Sequence, residues 1–159
     1  MSGKKQTTTI IILTAILFVI ASITIGVGIS RGWFNGEKAV IDSEYFGSSE
    51  LRTINTDQYN QLINDKKSFL IITYQPGCTA DLLSFIKKFS EEKNISFNYY
   101  VWSALRESPL HNNIKHPPSV AVISKGEVVA YLKADSNDDT EKYNNYDTFK
   151  AWLEEKVAF

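Results

Sequence analysis

The chain of 159 residues has one cysteine, so no disulfide can close within it and its fold cannot depend on one. Only two histidines are present, His111 and His116, and with a single cysteine they do not make a zinc set. They read as solvated loop residues. Basic residues show no surplus: 17 Lys and Arg stand against 18 Asp and Glu, for a nominal charge of −1. That balance excludes nucleic acid as an expected partner. No Ser/His/Asp set, phosphate-cradling glycine loop or paired-carboxylate site stands out, and nothing calls for a cofactor. The acidic run Asp135 to Asp139 begins like a calcium loop. Thr140 stands where such a loop needs glycine, and Tyr146 where it needs glutamate, so the run reads as an acidic surface loop. No internal repeat or long low-complexity tract is found.

What the chain does have begins at its amino terminus. After Lys4 and Lys5, the stretch from Gln6 to Ser30 carries no charge and is almost all aliphatic from Ile10 to Ile29. Twenty-odd helical residues at ~1.5 Å each span the roughly 30 Å hydrocarbon core of a bilayer. The predicted organisation is a cytoplasmic tail over 1–6, a transmembrane signal anchor over 7–30 and a juxtamembrane linker over 31–49. A single domain over 50–159 follows, held outside the cytoplasm by the positive-inside bias of Lys4 and Lys5. Trp33 and Phe34 suit the headgroup level. A cleaved signal peptide ending near Gly26-Val27-Gly28 is the rival, although its apolar run usually covers only ~7 to 15 residues. Within the linker, Tyr45-Phe46-Gly47 is an apolar island suited to packing on the domain.

The remainder alternates between strand and helix patterns. Leu51–Ile54 is a short strand, and Thr56 is a plausible N-cap for a helix through Asp65, with Tyr59, Leu62 and Ile63 at helical spacing. Ser68–Tyr74 is a near-continuous run of β-formers, as in a strand buried on both faces. From Cys78 to about Glu92, Leu82, Phe85, Ile86 and Phe89 form one helical stripe. Ile95–Trp102 alternates as a strand, whereas Leu105–Asn113 is ambiguous around Pro109. Ser119–Ser124 and Glu127–Lys133 are strands joined at the tight turn Lys125-Gly126, and Tyr146–Val157 closes as an amphipathic helix. Parallel strands joined by helices and then an antiparallel hairpin predict an α/β sandwich with a mixed central sheet.

Cys78 stands where the third of these segments ends and the next helix begins. A thiol there meets unpaired backbone N–H groups and the positive end of the helix dipole, which favour the thiolate. Thiolate is the attacking form in disulfide exchange. Asp81, three residues on, opposes a second negative charge, or accepts the thiol proton, or caps the helix start. The alternative for Cys78 is an inert, buried thiol filling space. Pro117-Pro118 heads the later strand, either as a cis bond or as an ordinary trans strand start. A cis Pro118 would flank Cys78 and offer backbone to an extended peptide.

The order of these motifs resembles the thioredoxin fold. Residues Ser68 through Cys78 look like the strand that delivers the nucleophilic cysteine, and Ile114 through Val129 like the stretch holding the family's cis-proline and last hairpin. The resemblance runs from Leu51 to Val157. It implies that Cys78 occupies the first cysteine position, Asp81 the second and Pro118 the cis-proline, with Gly77, Thr79, Pro117 and Ser119 lining a substrate groove. It further places Ile72 where the family has a buried acid, and Gly77 where it has an aromatic residue. Without a second cysteine Cys78 cannot resolve a mixed disulfide within its own chain, and these departures speak against an ordinary dithiol cycle, leaving single-thiol exchange or a redox-silent binding groove. Small anchored proteins of this build resemble the bacteriocin-transport accessory group, with exported polypeptides as expected partners.

Overall fold

A computed structural model of the chain describes residues 37–75, 81–101, 103 and 108–159. Lys38–Phe159 forms one compact unit, and of the separate unit Met1–Glu37 only Glu37 is described. The expected span over 7–30 lies outside the described residues. Among those described, no helix is long and apolar enough to cross a membrane.

The unit begins earlier than the sequence pattern implies. Residues 38–49, expected as linker, belong to the domain: Ala39, Ile41 and Tyr45 are buried. Strand β1 (Ala39–Val40) pairs in parallel with the last strand, β7 (Val157–Ala158). Tyr45, in a 3-10 turn over Ser43–Tyr45, stacks on Phe69 and accepts a hydrogen bond at its hydroxyl from Asn98 Nδ2 at 3.0 Å. Tyr45 of the apolar island thus packs on the core, whereas Phe46 is exposed.

Five strands make the main sheet: β2 (Leu51–Ile54), β3 (Phe69–Tyr74), β4 (Phe97–Val101), β5 (Ser119–Ser124) and β6 (Glu127–Tyr131). Their spatial order is β2-β4-β3-β5-β6. The first three run parallel, β5 is antiparallel to β3, and β6 is antiparallel to β5. Phe69, Leu70, Ile71 and Ile72 are all fully buried, because β3 is central and covered on both faces. The tip between β5 and β6 needs positive φ at two successive residues, Lys125 (51°) and Gly126 (81°), the pattern of a tight two-residue hairpin turn.

Among the described residues, helices pack on both faces of the sheet. Helix α1 (Thr56–Asn64) is started by Asn55, whose side chain accepts from the Gln58 N–H while the Gln58 side chain accepts from the Asn55 N–H. Asn55, not Thr56, is therefore the N-cap; the amide reaches the third helical residue and is answered by a glutamine there. Thr56, one residue on, instead shares a 2.8 Å hydrogen bond with the Tyr100 hydroxyl. Burial beside Tyr100 pushes the Tyr59 phenol up to about 12.

On the opposite face lie α2 (Asp81–Lys93) and α4 (Tyr146–Lys156). Their stripes meet in an aromatic cluster in which Phe89 packs edge-on against Phe97 and Phe149. Between β6 and α4, residues Thr140–Asn144 form a short helix, α3, that the sequence pattern does not announce.

Candidate functional site

The sheet register brings two chain segments to one pole. Thr73, next to the last residue of β3, lies opposite Ser119, the first residue of β5. Helix α2 starts at this pole as well, since it takes the chain back from the C-terminal end of β3 toward the start of the parallel β4. The connection between Gln75 and Asp81 carries Gly77, Cys78 and Thr79, which lie outside the described residues.

Of the remaining expected site residues, the structure places four at this pole. Pro117-Pro118 is a cis peptide bond, and both prolines are half-buried. Asp81 is the first described residue of α2 and is exposed, and in the described helix its carboxylate lies in the first turn, where the helix dipole favours negative charge. Its backbone carbonyl accepts from Ser84 Oγ at 2.7 Å. Ser119 is fully buried, with its hydroxyl donating to the Leu132 carbonyl and its own carbonyl near Thr73 Oγ1 at 3.4 Å. Its hydroxyl is therefore buried and already engaged within the fold, not offered to a groove. Ile72, fully buried at mid-sheet between Tyr99 and Val120, offers no titratable group under the pole.

The structure adds a residue that sequence pattern did not flag. Tyr143, on α3, donates its hydroxyl to the Pro118 carbonyl at 3.0 Å. Burial raises the Tyr143 phenol well above its ordinary value; the Ser119 hydroxyl works the other way, and the Asp139 and Asp135 carboxylates add to the rise. The group is a stable donor at neutral pH. Asp139, expected as part of a solvated acidic loop, has its side chain only 16 % exposed. One of its oxygens accepts from the Lys133 N–H at 2.8 Å and the other from Lys142 Nζ at 2.7 Å. The only advance signal was an acidic residue ahead of a helix-compatible run.

Beside the proline pair, Ile114, His116, Leu132 and Asp135 help line a shallow pocket of about 170 Å³. His116 is exposed and lies 3.5 Å from the exposed Asp135 carboxylate. His111 is half-buried in a 3-10 turn over Pro109–Asn112. Among the described residues, no group of three or more His, Cys, Asp or Glu side chains is placed to hold a metal ion.

No family model and no curated protein matches the chain. Solved structures do. The solution structure of oxidised thioredoxin from Plasmodium falciparum superposes with a TM-score of 0.51 at 15% identity, covering 68% of this chain and 99% of that one. The fold is that of thioredoxin. Also similar are a putative oxidoreductase with a thioredoxin fold (TM-score 0.48, 21% identity, 67% of this chain and 94% of that one) and thioredoxin f from spinach chloroplast (TM-score 0.48, 13% identity, 68% and 87%). At such identities the likeness is one of fold alone.

Proposed function

We propose that this protein is a membrane-anchored thioredoxin-fold accessory factor that acts outside the cytoplasm on cysteine-containing exported polypeptides, by single-thiol exchange at Cys78. One observation carries this reading: the chain's sole cysteine lies in the connection from β3 to α2, and both ends of that connection meet the Pro117-Pro118 pole. In the reaction, the Cys78 thiolate attacks one sulfur of a partner disulfide. A Cys78–partner disulfide forms, the partner's other sulfur leaves as thiolate, and no net electrons are gained or lost. Resolution needs a second thiol, from the partner or from a small external thiol, because this chain has none.

Residues 7–30 supply the anchor in this reading, with the amino terminus in the cytoplasm. Kinship with the bacteriocin-transport accessory group is the narrower form of the proposal and rests on the shared architecture of anchor plus small thioredoxin-like domain. A redox-silent binding module in an envelope or secretion complex is the second reading. It is favoured by Ile72 in the buried mid-sheet position and by the exposed Asp81 at the helix start.

Trapping separates the two. Cells expressing the full chain are quenched with N-ethylmaleimide and resolved without reductant. Exchange gives reductant-sensitive adducts that Cys78→Ser abolishes, along with function; wild-type function in Cys78→Ser sinks the exchange reading and leaves the binding module. Protease added outside intact cells should digest the domain, and a protected domain would contradict the orientation.

A further inference from the structure

The two edges of the main sheet are finished differently. Edge strand β6 carries an extra residue where its register with β5 shifts between Val122 and Ile123. The opposite edge, β2, keeps an unbroken parallel register with β4 from Leu51 to Ile54. The Phe97 N–H donates to the Glu50 carbonyl at 3.0 Å, and that bond sets the phase of the ladder. Glu50, Arg52 and Ile54 turn their peptide groups toward β4, whereas Leu51 and Thr53 turn theirs outward. Among the described residues, no hydrogen bond is made to the backbone groups of Ser49, Leu51 or Thr53 on that outer side. A regular edge with free donors and acceptors is a template for another strand.

Side chains alternate along this edge, so Glu50, Arg52 and Ile54 share one face and Ser49, Leu51 and Thr53 the other. Arg52 is held in place: a guanidinium nitrogen donates to the Glu44 carbonyl at 3.0 Å, and the guanidinium carbon lies 5.2 Å from the centre of the Tyr45 ring. The Glu50 side chain is 72% exposed and approaches Arg52 Nε only to 4.0 Å. The edge therefore displays a fixed cation and, two residues earlier on the same face, an acid that is weakly engaged.

This pattern is complementary to itself in one register. When two copies pair antiparallel about a two-fold axis, outward groups must meet outward groups. An axis through Glu50 or through Arg52 sets like charges directly opposite, which is destabilising. An axis through Thr53 sets Arg52 against Ile54. One through Ser49 sets Leu51 against Gly47, whose N–H is already given to the Asn94 carbonyl. An axis through Leu51 pairs Ser49 with Thr53 and puts Glu50 of each copy against Arg52 of the other.

We propose that β2 is a self-association edge, at which two copies of this chain pair antiparallel about Leu51 and join their sheets. So short a contact buries less than the roughly 1,200 Å² of a stable complex, and the association is weak. It is independent of the thiol chemistry at Cys78.

The test traps the pair covalently. The full chain in detergent carries Cys78→Ser throughout, so that an introduced cysteine is the sole thiol, and diamide is the oxidant. In this register the two Leu51 Cα atoms lie about 5.5 Å apart, within the span of a disulfide. Ser49 to Ser49 and Thr53 to Thr53 are each about 13 Å. Leu51→Cys should form a disulfide dimer about tenfold or more faster than Ser49→Cys or Thr53→Cys alone, and mixing the latter two should give their heterodimer. Adding Glu50→Arg, at an exposed side chain, should slow the Leu51→Cys dimer by about three- to thirtyfold, and Arg52→Glu should do likewise. Mixing those two charge variants should restore the rate in the mixed dimer, where each new charge meets its opposite. Loss of the packing of Arg52 within its own chain would give no such rescue. Equal rates at positions 49, 51 and 53 would reveal chance collision and overturn the inference, as would a Leu51→Cys rate that Glu50→Arg leaves unchanged. A folded Leu51→Cys chain that stays monomeric would overturn it too; amides of Leu51 and Thr53 protected from exchange at high dilution would then show the edge covered by the chain itself.

Discussion

A methyl group at Gly126 would lie 2.5 Å from the Ile63 carbonyl oxygen, at a φ of +81° that side chains rarely adopt. The residue's own N–H donates to the Lys67 carbonyl at 2.9 Å, so the hairpin tip is seated on the turn that precedes β3. Gly126→Ala should therefore destabilise the fold by about 1–3 kcal/mol, from left-handed strain with the close approach added, as measured by chemical denaturation. An unchanged midpoint would mean that the tip moves freely. Gly126 was legible as a turn residue because Lys125-Gly126 separates two apolar runs. Its contact with Ile63 was not, since nothing local relates residues so far apart in sequence. The same contrast holds at the candidate site. Asp81, Pro117 and Pro118 were singled out as candidates from their places in an ordered set of motifs. Tyr143 reaches Pro118 across 25 residues through tertiary packing, and a tyrosine in a polar run carries no mark of that.

At the scale of elements, the long apolar segments were legible and the short ones were not. β3 and β5 announce themselves by composition, because strands covered on both faces need apolar residues throughout. The two-residue strands β1 and β7 are too short to show any period, and they form because Ala39 and Val157 are both buried where the start and the end of the Lys38–Phe159 unit pair. Helix α1 shows how a start signal shifts by one residue: Asn55 and Gln58 make a reciprocal cap that leaves Thr56 inside the helix. Asn55→Ala should cost about 1 kcal/mol in denaturant titration, and Thr56→Ala should leave the cap itself intact. At the outer strand β6, Val122 faces Ala130 and Ile123 faces Val128, so Val129 is an extra, bulged residue, 47% exposed. A bulge on an edge strand discourages pairing with another chain.

Helix α3 carries a pH dependence. Burial pulls the Asp139 carboxyl upward, but the Lys142 ammonium and the Lys133 N–H outweigh it, and the net shift is below the ordinary 3.8. A carboxylate depressed in the folded state stabilises that state fully above its unfolded value, and the contribution is lost as pH falls through the folded one. The Lys133 amide resonance should accordingly be flat from neutral pH down to about 4 and move only below that. A midpoint at or above the ordinary carboxylate value would show that the Asp139 bonds do not form in solution.

For the whole molecule, the order of strands and helices was enough to anticipate a mixed sheet with parallel centre and antiparallel end, and the topology matches. The start of the domain was less legible. Residues 38–49 look like a linker by composition, yet Ile41 and Tyr45 contribute to the core, because a few apolar side chains in a polar stretch suffice to dock it. The central claim is that this fold serves a reactive single thiol at the pole of Pro117-Pro118. Its most direct test is the alkylation rate of Cys78 against pH, in the folded full chain and in denaturant. The expected result is a thiol that reacts readily in the folded state, with a midpoint below the roughly 8.5 of a free cysteine, and reverts to that value on unfolding. A folded protein whose thiol resists alkylation, or titrates at or above the free value, would contradict it.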